Sequence, residues 1–230
     1  MRATSIDAVL FDLDGTLLDT APDLAAALNA LLEEEDASPL AFGEIRPHVS
    51  HGGAALVRLG FPAVRDAEFE RLRTRLLELY RKDIARETQL FAGLAPVLEE
   101  FERTHTPWGI VTNKPGWLTE PLLAALDLAA RAACVVSGDS VAERKPHPLP
   151  MLHAARLIGL EPVRCLYVGD AERDVLAARA AGMHTLVARY GYLGPSDRPE
   201  DWNADGIIDR PEQILAWMRG GASAPGESDT

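Results

Sequence analysis

The chain has 230 residues, a size that suits one large domain or a core carrying a smaller insert. Apolar residues make up 47% of it and charged residues 25%, which is the ordinary composition of a globular protein. Its net charge of −12 argues against wholesale binding of nucleic acid, although a local metal ion and lysine would still let it bind a small phosphate ester.

The first predicted element is a buried strand that ends at two carboxylates. The apolar run at 8–11 leads into Asp12-Leu13-Asp14-Gly15-Thr16. A carboxylate at the end of a strand can act as a nucleophile or a metal ligand. Two carboxylates in different environments can serve as nucleophile and general acid–base. The alternative is an ordinary turn after a strand, because Asp-Gly is a common turn signal.

The next predicted strand begins only at 108, too far along the chain for an ordinary crossover connection. Thr20 can cap a first intervening helix, whose apolar face carries Leu24, Leu28, Leu31 and Leu32. A second helix has an apolar stripe, interpreted as core and not as a binding surface, at Phe69, Leu72, Leu76, Leu79 and Tyr80. We therefore predict a helical subdomain at 18–90 that overhangs the carboxyl edge of the sheet, where open α/β sheets bind ligands.

The rest of the chain alternates predicted strands and helices. The strands are 8–12, 108–112, 134–136, 166–169, 185–188 and 206–208, and the later helices are 117–126, 150–158 and 173–181. This alternation predicts an α/β fold, with a parallel sheet covered by helices on both faces. The core is predicted to comprise 1–17 and 91–218, and the Gly- and Ser-rich tail at 219–230 is predicted to be disordered.

Cysteine use and hydropathy predict the compartment. Cys134 and Cys165 each lie in an apolar strand-like run, so we expect buried free thiols and no disulfide framework. No signal peptide precedes the first strand, and no apolar run approaches the roughly 18 residues that a membrane-spanning helix needs. We expect a cytoplasmic protein with no membrane partner.

Three further polar clusters follow predicted strands. They are Thr112-Asn113-Lys114, Lys145-Pro146 and the run from Gly169-Asp170 to Asp174. Parallel strands place their carboxyl ends at one edge, so these side chains should meet Asp12 and Asp14 there. Asp12, Asp170 and a backbone carbonyl would give Mg²⁺ the oxygen ligands it prefers. Lys145 and Thr112 would bind a phosphate, as phosphoryl transfer requires.

Each of these residues also has a plain structural alternative. Thr112 could cap a helix, and Lys145 could be a solvated loop lysine. Asp170 and Asp174 flank a predicted helix start, where acidic residues are favourable regardless of function. The ordered set is therefore more specific than any one of its members.

That ordered set resembles the four motifs of the haloacid dehalogenase superfamily of phosphatases. The resemblance spans the chain except its tail, and it implies a Rossmann-like core with an inserted small α-helical cap. Within the superfamily the sequence is most similar to the phosphoglycolate phosphatase group, through Asp12–Thr20, Val111–Pro115 and Val175–Gly182. It also resembles a sister group that acts on N-acetylmuramic acid 6-phosphate.

The resemblance implies a role for each motif residue. Asp12 would attack phosphorus and form an aspartyl-phosphate, while Asp14 would protonate the leaving oxygen and then activate water. Thr112 and Lys145 would bind the phosphoryl group, and Asn113 would contact the substrate. The implied Mg²⁺ ligands are Asp12, the Asp14 carbonyl and Asp170, with Asp174 supporting the metal site directly or through water.

The expected substrate is a small phosphorylated metabolite, with 2-phosphoglycolate first and N-acetylmuramic acid 6-phosphate as the alternative. We expect the specificity residues in the insert at 46–53, where Ser50, His51 and Gly52 could contact the substrate. The alternative is that this segment is an ordinary loop between helices. A phosphosugar mutase and a receiver-type phosphorylation switch are less favoured, and a dehalogenase would have no use for Asp14. The sequence does not determine the oligomeric state.

Overall fold

A computed structural model describes residues 5–220 of the chain. Its strands are β1 Ala8–Phe11, β2 Leu18–Asp19, β3 Gln89–Leu90, β4 Trp108–Val111, β5 Cys134–Val136, β6 Cys165–Gly169, β7 His184–Ala188 and β8 Gly206–Ile208. Six of them form a parallel sheet in the order β5-β4-β1-β6-β7-β8, and β2 pairs with β3 in a separate antiparallel ribbon. The predicted α/β fold and parallel sheet are confirmed.

The central strand β1 is buried on both sides because alternate residues face different helices. Ala8 and Leu10 belong to one apolar cluster, and Val9 and Phe11 belong to the other. Gly109 permits this close packing in the neighbouring strand β4, since a Cβ there would lie 2.6 Å from the sulfur of Cys134.

The helices are α1 Ala21–Glu34, α2 Phe42–Ile45, α3 Gly52–Gly60, α4 Asp66–Lys82, α5 Leu94–Arg103, α6 Gly116–Ala125, α7 Leu149–Ile158, α8 Glu172–Ala180 and α9 Gln213–Gly220. A short 3-10 segment, Arg46–His51, joins α2 to α3. Helices α7 and α8 pack in the cluster that contains Ala8 and Leu10, whereas α5 and α6 pack in the other. The helices therefore cover both faces of the sheet.

The predicted strands and core helices agree with the observed ones to within one residue at each end. Gly182 follows α8 with a φ of +81°, the left-handed conformation expected of a residue just past a helix end. Cys134 and Cys165 are free and buried, as predicted. The prediction for Thr20 is wrong in one respect: it precedes α1, but its side chain makes no capping hydrogen bond.

Helices α1 to α4 lie between the two strands of the small ribbon, and we call residues 18–90 the helical insert. The leucine face of α1 is buried, and so are Leu72 and Leu76 of α4. Arg71–Glu35 and Arg75–Glu34 ion pairs, with N–O distances of 2.8 and 2.6 Å, also join the two helices. The division into a core and a separate cap domain stays a prediction.

The predicted boundary near 218 lies within α9, which continues to Gly220. The tail from 221 onward lies outside the described residues, as do residues 1–4. Among the helices that the structure describes, none is long and apolar enough to cross a membrane.

Candidate active site

The carboxyl ends of the central strands bring the predicted acidic residues together. Asp12 follows β1, Asp170 follows β6, and Asp174 lies in the first turn of α8. Each contributes a carboxylate oxygen to a group whose members all lie within 4.8 Å of one another. We call these three residues the acidic cluster. All are buried, so their charges strongly affect one another.

Asp12 remains ionised in this buried setting because its partners are cationic. Its Oδ1 accepts a hydrogen bond from the Leu13 N–H at 2.7 Å and lies 2.9 Å from Nζ of Lys145. Burial would raise the pKa of Asp12, but Lys145 and Arg173 outweigh it and hold the pKa below its usual value. A charged carboxylate at this position is a competent nucleophile.

Lys145 is not a solvated loop lysine, because its side chain is wholly buried. Its ammonium lies 2.7 Å from Asp174 Oδ1, and it donates hydrogen bonds to the Val111 carbonyl at 2.9 Å and the Tyr167 hydroxyl at 2.8 Å. Lys145 therefore neutralises part of the acidic cluster at its base.

Only one of the two carboxylate oxygens of Asp170 accepts hydrogen bonds from the described residues. Its Oδ2 accepts hydrogen bonds from the Ser50 hydroxyl at 2.5 Å and the Tyr192 N–H at 2.9 Å. Its Oδ1 is buried and accepts no hydrogen bond from the described residues. Burial, with the charges of Asp12 and Asp174, raises the pKa of Asp170 to about 7.

Asp174 hydrogen-bonds the start of α8 and also adds a negative charge to the acidic cluster. Its Oδ2 accepts the Ala171 N–H at 3.1 Å, which satisfies an amide at the start of α8. Burial and the neighbouring charge of Asp12 raise its pKa. The unpartnered Asp170 oxygen and the mutual repulsion of three carboxylates fit a divalent cation with oxygen ligands. The acidic cluster could therefore bind a metal ion.

Asp14 faces away from the acidic cluster into a different network. Its Oδ1 accepts a hydrogen bond from the Thr20 hydroxyl at 2.7 Å and another from Nζ of Lys114 at 2.8 Å. The ammonium of Lys114 also lies 4.5 Å from the centre of the Tyr80 ring. Burial opposes the charge of Lys114, but Asp14 and Tyr80 outweigh it and raise its pKa. This network fixes the orientation of the Asp14 carboxylate.

The two polar residues after β4 differ in their roles. Thr112 does not cap α6, which begins at Gly116; its hydroxyl accepts the Lys114 N–H at 3.1 Å. The Asn113 side chain donates to the Lys145 carbonyl at 2.9 Å and accepts the Lys145 N–H at 3.0 Å. Asn113 therefore positions the loop that carries Lys145, and its contact with substrate stays a prediction.

A cavity of about 960 Å³ lies between the helical insert and the core, and Asp12, Asp14 and Thr112 line it. Ser50, His51 and Gly52 enter its wall from the insert, as the sequence predicts, although Ser50 is bonded to Asp170. Tyr80 also lines the cavity, but it is only 1% exposed and belongs to the apolar core, so the prediction that the stripe of α4 is core is confirmed. Arg81, Trp117 and Arg173 also line the cavity wall.

Three residues of the site were not found by reasoning from the sequence. Lys114 and Arg173 were visible in the motifs, but the sequence around a lysine or an arginine gives no signal of its tertiary partners. Tyr192 donates its N–H to Asp170, and its hydroxyl donates to Asp19 at 2.7 Å where the chain enters the insert. Gly191 is required beside it, because a side chain there would collide with Asp170.

This geometry places a buried, charged carboxylate on the wall of a cavity, and the chain belongs to the haloacid dehalogenase-like hydrolase family. The model of that family matches residues 9–188. The resemblance inferred from the motifs is confirmed.

Among its curated relatives, the chain is 45% identical to the phosphoglycolate phosphatase of Xanthomonas campestris pv. campestris strain 8004 over 91% of this chain and 96% of that one. It is 42% identical to the N-acetylmuramic acid 6-phosphate phosphatase of Pseudomonas putida over 90% of this chain and 93% of the relative. The crystal structure of a predicted phosphoglycolate phosphatase from Haemophilus somnus superposes with a TM-score of 0.82 at 26% identity, covering 92% and 97% of the two chains.

Proposed function

We propose that this protein hydrolyses the phosphomonoester of a small metabolite through an aspartyl-phosphate on Asp12. The observation that carries the proposal is the paired arrangement of Asp12 and Asp14 on one cavity wall. Asp12 is kept ionised by Lys145 and Arg173, while Asp14 is held separately by Lys114 and Thr20. Two carboxylates in such different settings suit a nucleophile and an acid–base catalyst.

The two carboxylates divide the reaction into two displacements. An oxygen of Asp12 forms a bond to phosphorus, the bond from phosphorus to the ester oxygen breaks, and Asp14 gives that oxygen its proton. In the second step Asp14 takes a proton from water, the water oxygen attacks phosphorus, and the bond to Asp12 breaks to release inorganic phosphate. The same group thus serves as acid and then as base.

The acidic cluster would hold Mg²⁺ during this reaction. Asp12, Asp170 and Asp174, with the Asp14 backbone carbonyl, form the proposed ligand set. A bound Mg²⁺ would neutralise the charge that develops on the phosphoryl oxygens. Thr112 would donate its hydroxyl to one of those oxygens, and Lys145 would balance the charge of the cluster beneath them.

The leading substrate is 2-phosphoglycolate, which the name of the 45% identical relative supports. The cavity favours a second candidate, a larger sugar acid such as N-acetylmuramic acid 6-phosphate. At about 960 Å³ it is at the upper end of the roughly 300–1,000 Å³ that hold drug-sized ligands. A two-carbon acid would leave much of it to water.

The outer wall of the cavity has groups that could bind the rest of a sugar acid. Trp117 is 41% exposed there, and the guanidinium of Arg81 from the helical insert lies 5.6 Å from the centre of its ring. An aromatic face can pack against a sugar ring, and an arginine can bind a carboxylate. The pair joins the insert to the core, and both residues line the cavity that Asp12 also lines.

The deciding experiment compares phosphate release from 2-phosphoglycolate and from N-acetylmuramic acid 6-phosphate, with Mg²⁺ and with EDTA. A preference in kcat/KM of about a hundredfold, equivalent to roughly 2.7 kcal/mol, would identify the substrate. Failure to release phosphate from either compound in the presence of Mg²⁺ would contradict the proposal. A product isomer formed without free phosphate would indicate the mutase instead.

A Trp117→Ala variant sharpens the comparison. If the sugar acid is the substrate, the variant loses activity on it by about tenfold or more and keeps its activity on 2-phosphoglycolate. If 2-phosphoglycolate is the substrate, the variant leaves both rates nearly unchanged.

The predictions on location and partners rest on the sequence. They describe a cytoplasmic protein that binds neither nucleic acid nor membrane.

A further inference from the structure

Within the proposed function, a phosphoryl group must be bound beside Asp12, yet the ammonium of Lys145 has little capacity left to bind it. An ammonium has three donors, and this one lies within 3 Å of Asp12, Asp174, the Tyr167 hydroxyl and the Val111 carbonyl. Its side chain has no exposed surface. Lys145 therefore compensates the acidic cluster from below and does not project into the cavity.

Arg173 does reach the cavity. It is the second residue of α8, and its Nη2 lies 3.9 Å from Asp12 Oδ2, on the opposite carboxylate oxygen from Lys145. The side chain is 20% exposed and lines the cavity wall. A phosphoryl group bonded to that face of Asp12 would lie next to the guanidinium.

The guanidinium also has donors to spare. Of its five N–H groups, one donates a hydrogen bond to the described residues, from Nη2 to the Ser50 carbonyl at 2.6 Å. A guanidinium keeps its charge in proteins, and its planar fork suits two phosphate oxygens.

We propose that Arg173 is a further phosphoryl-binding residue, held over Asp12 by the Ser50 carbonyl of the helical insert. The guanidinium takes the phosphoryl oxygens on the cavity side, and Lys145 balances the carboxylates on the buried side. The Ser50 carbonyl that holds the guanidinium belongs to the insert, so the position of the guanidinium depends on the insert being packed against the core. Phosphoryl binding is thereby coupled to the packing of the insert on the core.

The test is the affinity of the metal-loaded protein for inorganic phosphate, measured by isothermal titration calorimetry. We expect Arg173→Gln to weaken phosphate binding by about tenfold or more, and Arg173→Lys to weaken it less, since a lysine keeps the charge but loses the fork. Arg179→Gln is the matched control. Arg179 is on the same helix, but its nearest carboxylate is Asp205, at 3.9 Å and away from the cavity. The affinity of Arg179→Gln for inorganic phosphate should equal that of the wild type.

Kinetics separate this role from recognition of the leaving group. If Arg173 binds the phosphoryl group, Arg173→Gln lowers kcat/KM by the same factor for 2-phosphoglycolate and for p-nitrophenyl phosphate, which lacks the carboxylate. Unchanged phosphate affinity, or a loss confined to 2-phosphoglycolate, would overturn the proposal. Melting temperatures check the fold, and if Arg173→Gln does not fold, Arg173→Lys alone decides. If the wild type hydrolyses neither ester, the proposed function fails while the calorimetry still tests Arg173.

Discussion

The hydroxyl of Ser50 donates a 2.5 Å hydrogen bond to Oδ2 of Asp170 and so joins the helical insert directly to the acidic cluster. The two residues are 120 positions apart in the sequence. The same segment donates from Arg46 to the Gly191 carbonyl at 3.0 Å, and the Arg46 guanidinium lies 4.8 Å from the centre of the Tyr192 ring. Polar contacts therefore attach the helical insert to the Gly191–Tyr192 loop, which also donates a hydrogen bond to Asp170.

This contact changes what we expect of a Ser50 variant. From the sequence, Ser50 is a specificity residue, but its hydroxyl faces Asp170. We expect Ser50→Ala to lower kcat/KM by about tenfold on both candidate substrates, because it removes a donor from a buried carboxylate. His48→Ala, in the same 3-10 segment, is the control. A change in substrate preference without a general loss would restore the specificity role.

Lys114 is expected to contribute to kcat through Asp14. Lys114→Met removes the 2.8 Å contact while nearly keeping the length of the side chain, so Asp14 retains only the Thr20 hydroxyl. Acid–base groups contribute a rate enhancement of ~10²–10⁴-fold, and a misplaced group loses part of it. We therefore expect kcat to fall by about tenfold or more with little change in KM. Steady-state kinetics measure this, with Lys82→Met as an exposed control. A rise in KM at constant kcat would mean that Lys114 binds substrate.

The raised pKa of Asp170 predicts a pH-dependent stability of the metal-free protein. Its pKa is about 7 when folded and close to the ordinary 3.8 when unfolded. Between about pH 4 and 7 the unfolded chain loses this proton and the native protein keeps it. The contribution of Asp170 to the free energy of unfolding therefore falls as pH rises, by at most about 1.4 kcal/mol per pH unit.

Urea unfolding in EDTA at pH 5 and pH 7 checks this sign. Asp170→Asn has no proton to lose, so its stability should gain on that of the wild type as the pH rises. Mg²⁺ should stabilise the wild type more at pH 7 than at pH 5, because the cation competes with the proton for the carboxylate. An equal pH dependence in wild type and variant would contradict the electrostatic account of Asp170.

Asp23 is expected to stabilise the base of the helical insert. It is buried in the first turn of α1, and its carboxylate accepts hydrogen bonds from the Glu87 and Thr88 N–H groups and from the Thr88 hydroxyl, the last at 2.6 Å. Asp23→Ala would leave buried donors without a partner and should lower the free energy of unfolding by about 2–4 kcal/mol. Urea unfolding measures it, with exposed Glu33→Ala on the same helix as control. An equal stability of the two variants would refute this role.

The sequence predicts the fold and the acidic cluster for a simple physical reason. Buried strands have a short apolar signature, and the polar residues that follow parallel strands must meet at one edge. Asp12, Thr112 and Asp170 are positioned by that rule alone. The insert was detectable because its length and helical periodicity exceed what a crossover connection requires.

The partners of charged side chains were beyond this reasoning. Thr20 precedes α1 as predicted, yet its hydroxyl bonds to Asp14 because the chain turns back over the first motif. Lys145 is wholly buried, although lysine is among the residues least often buried, because two carboxylates compensate it. Such pairings depend on distances between elements, which local patterns do not encode.

The most direct test of the account is to locate the phosphoryl group on the protein during turnover. Wild type and Asp14→Asn are mixed with substrate and Mg²⁺, quenched in acid and digested, and the peptide containing Asp12 is examined by mass spectrometry. The account predicts a phosphoryl group on Asp12, at higher occupancy in Asp14→Asn where breakdown of the intermediate is slowed. Turnover without any phosphoryl group on Asp12, or with one on a different residue, would contradict it.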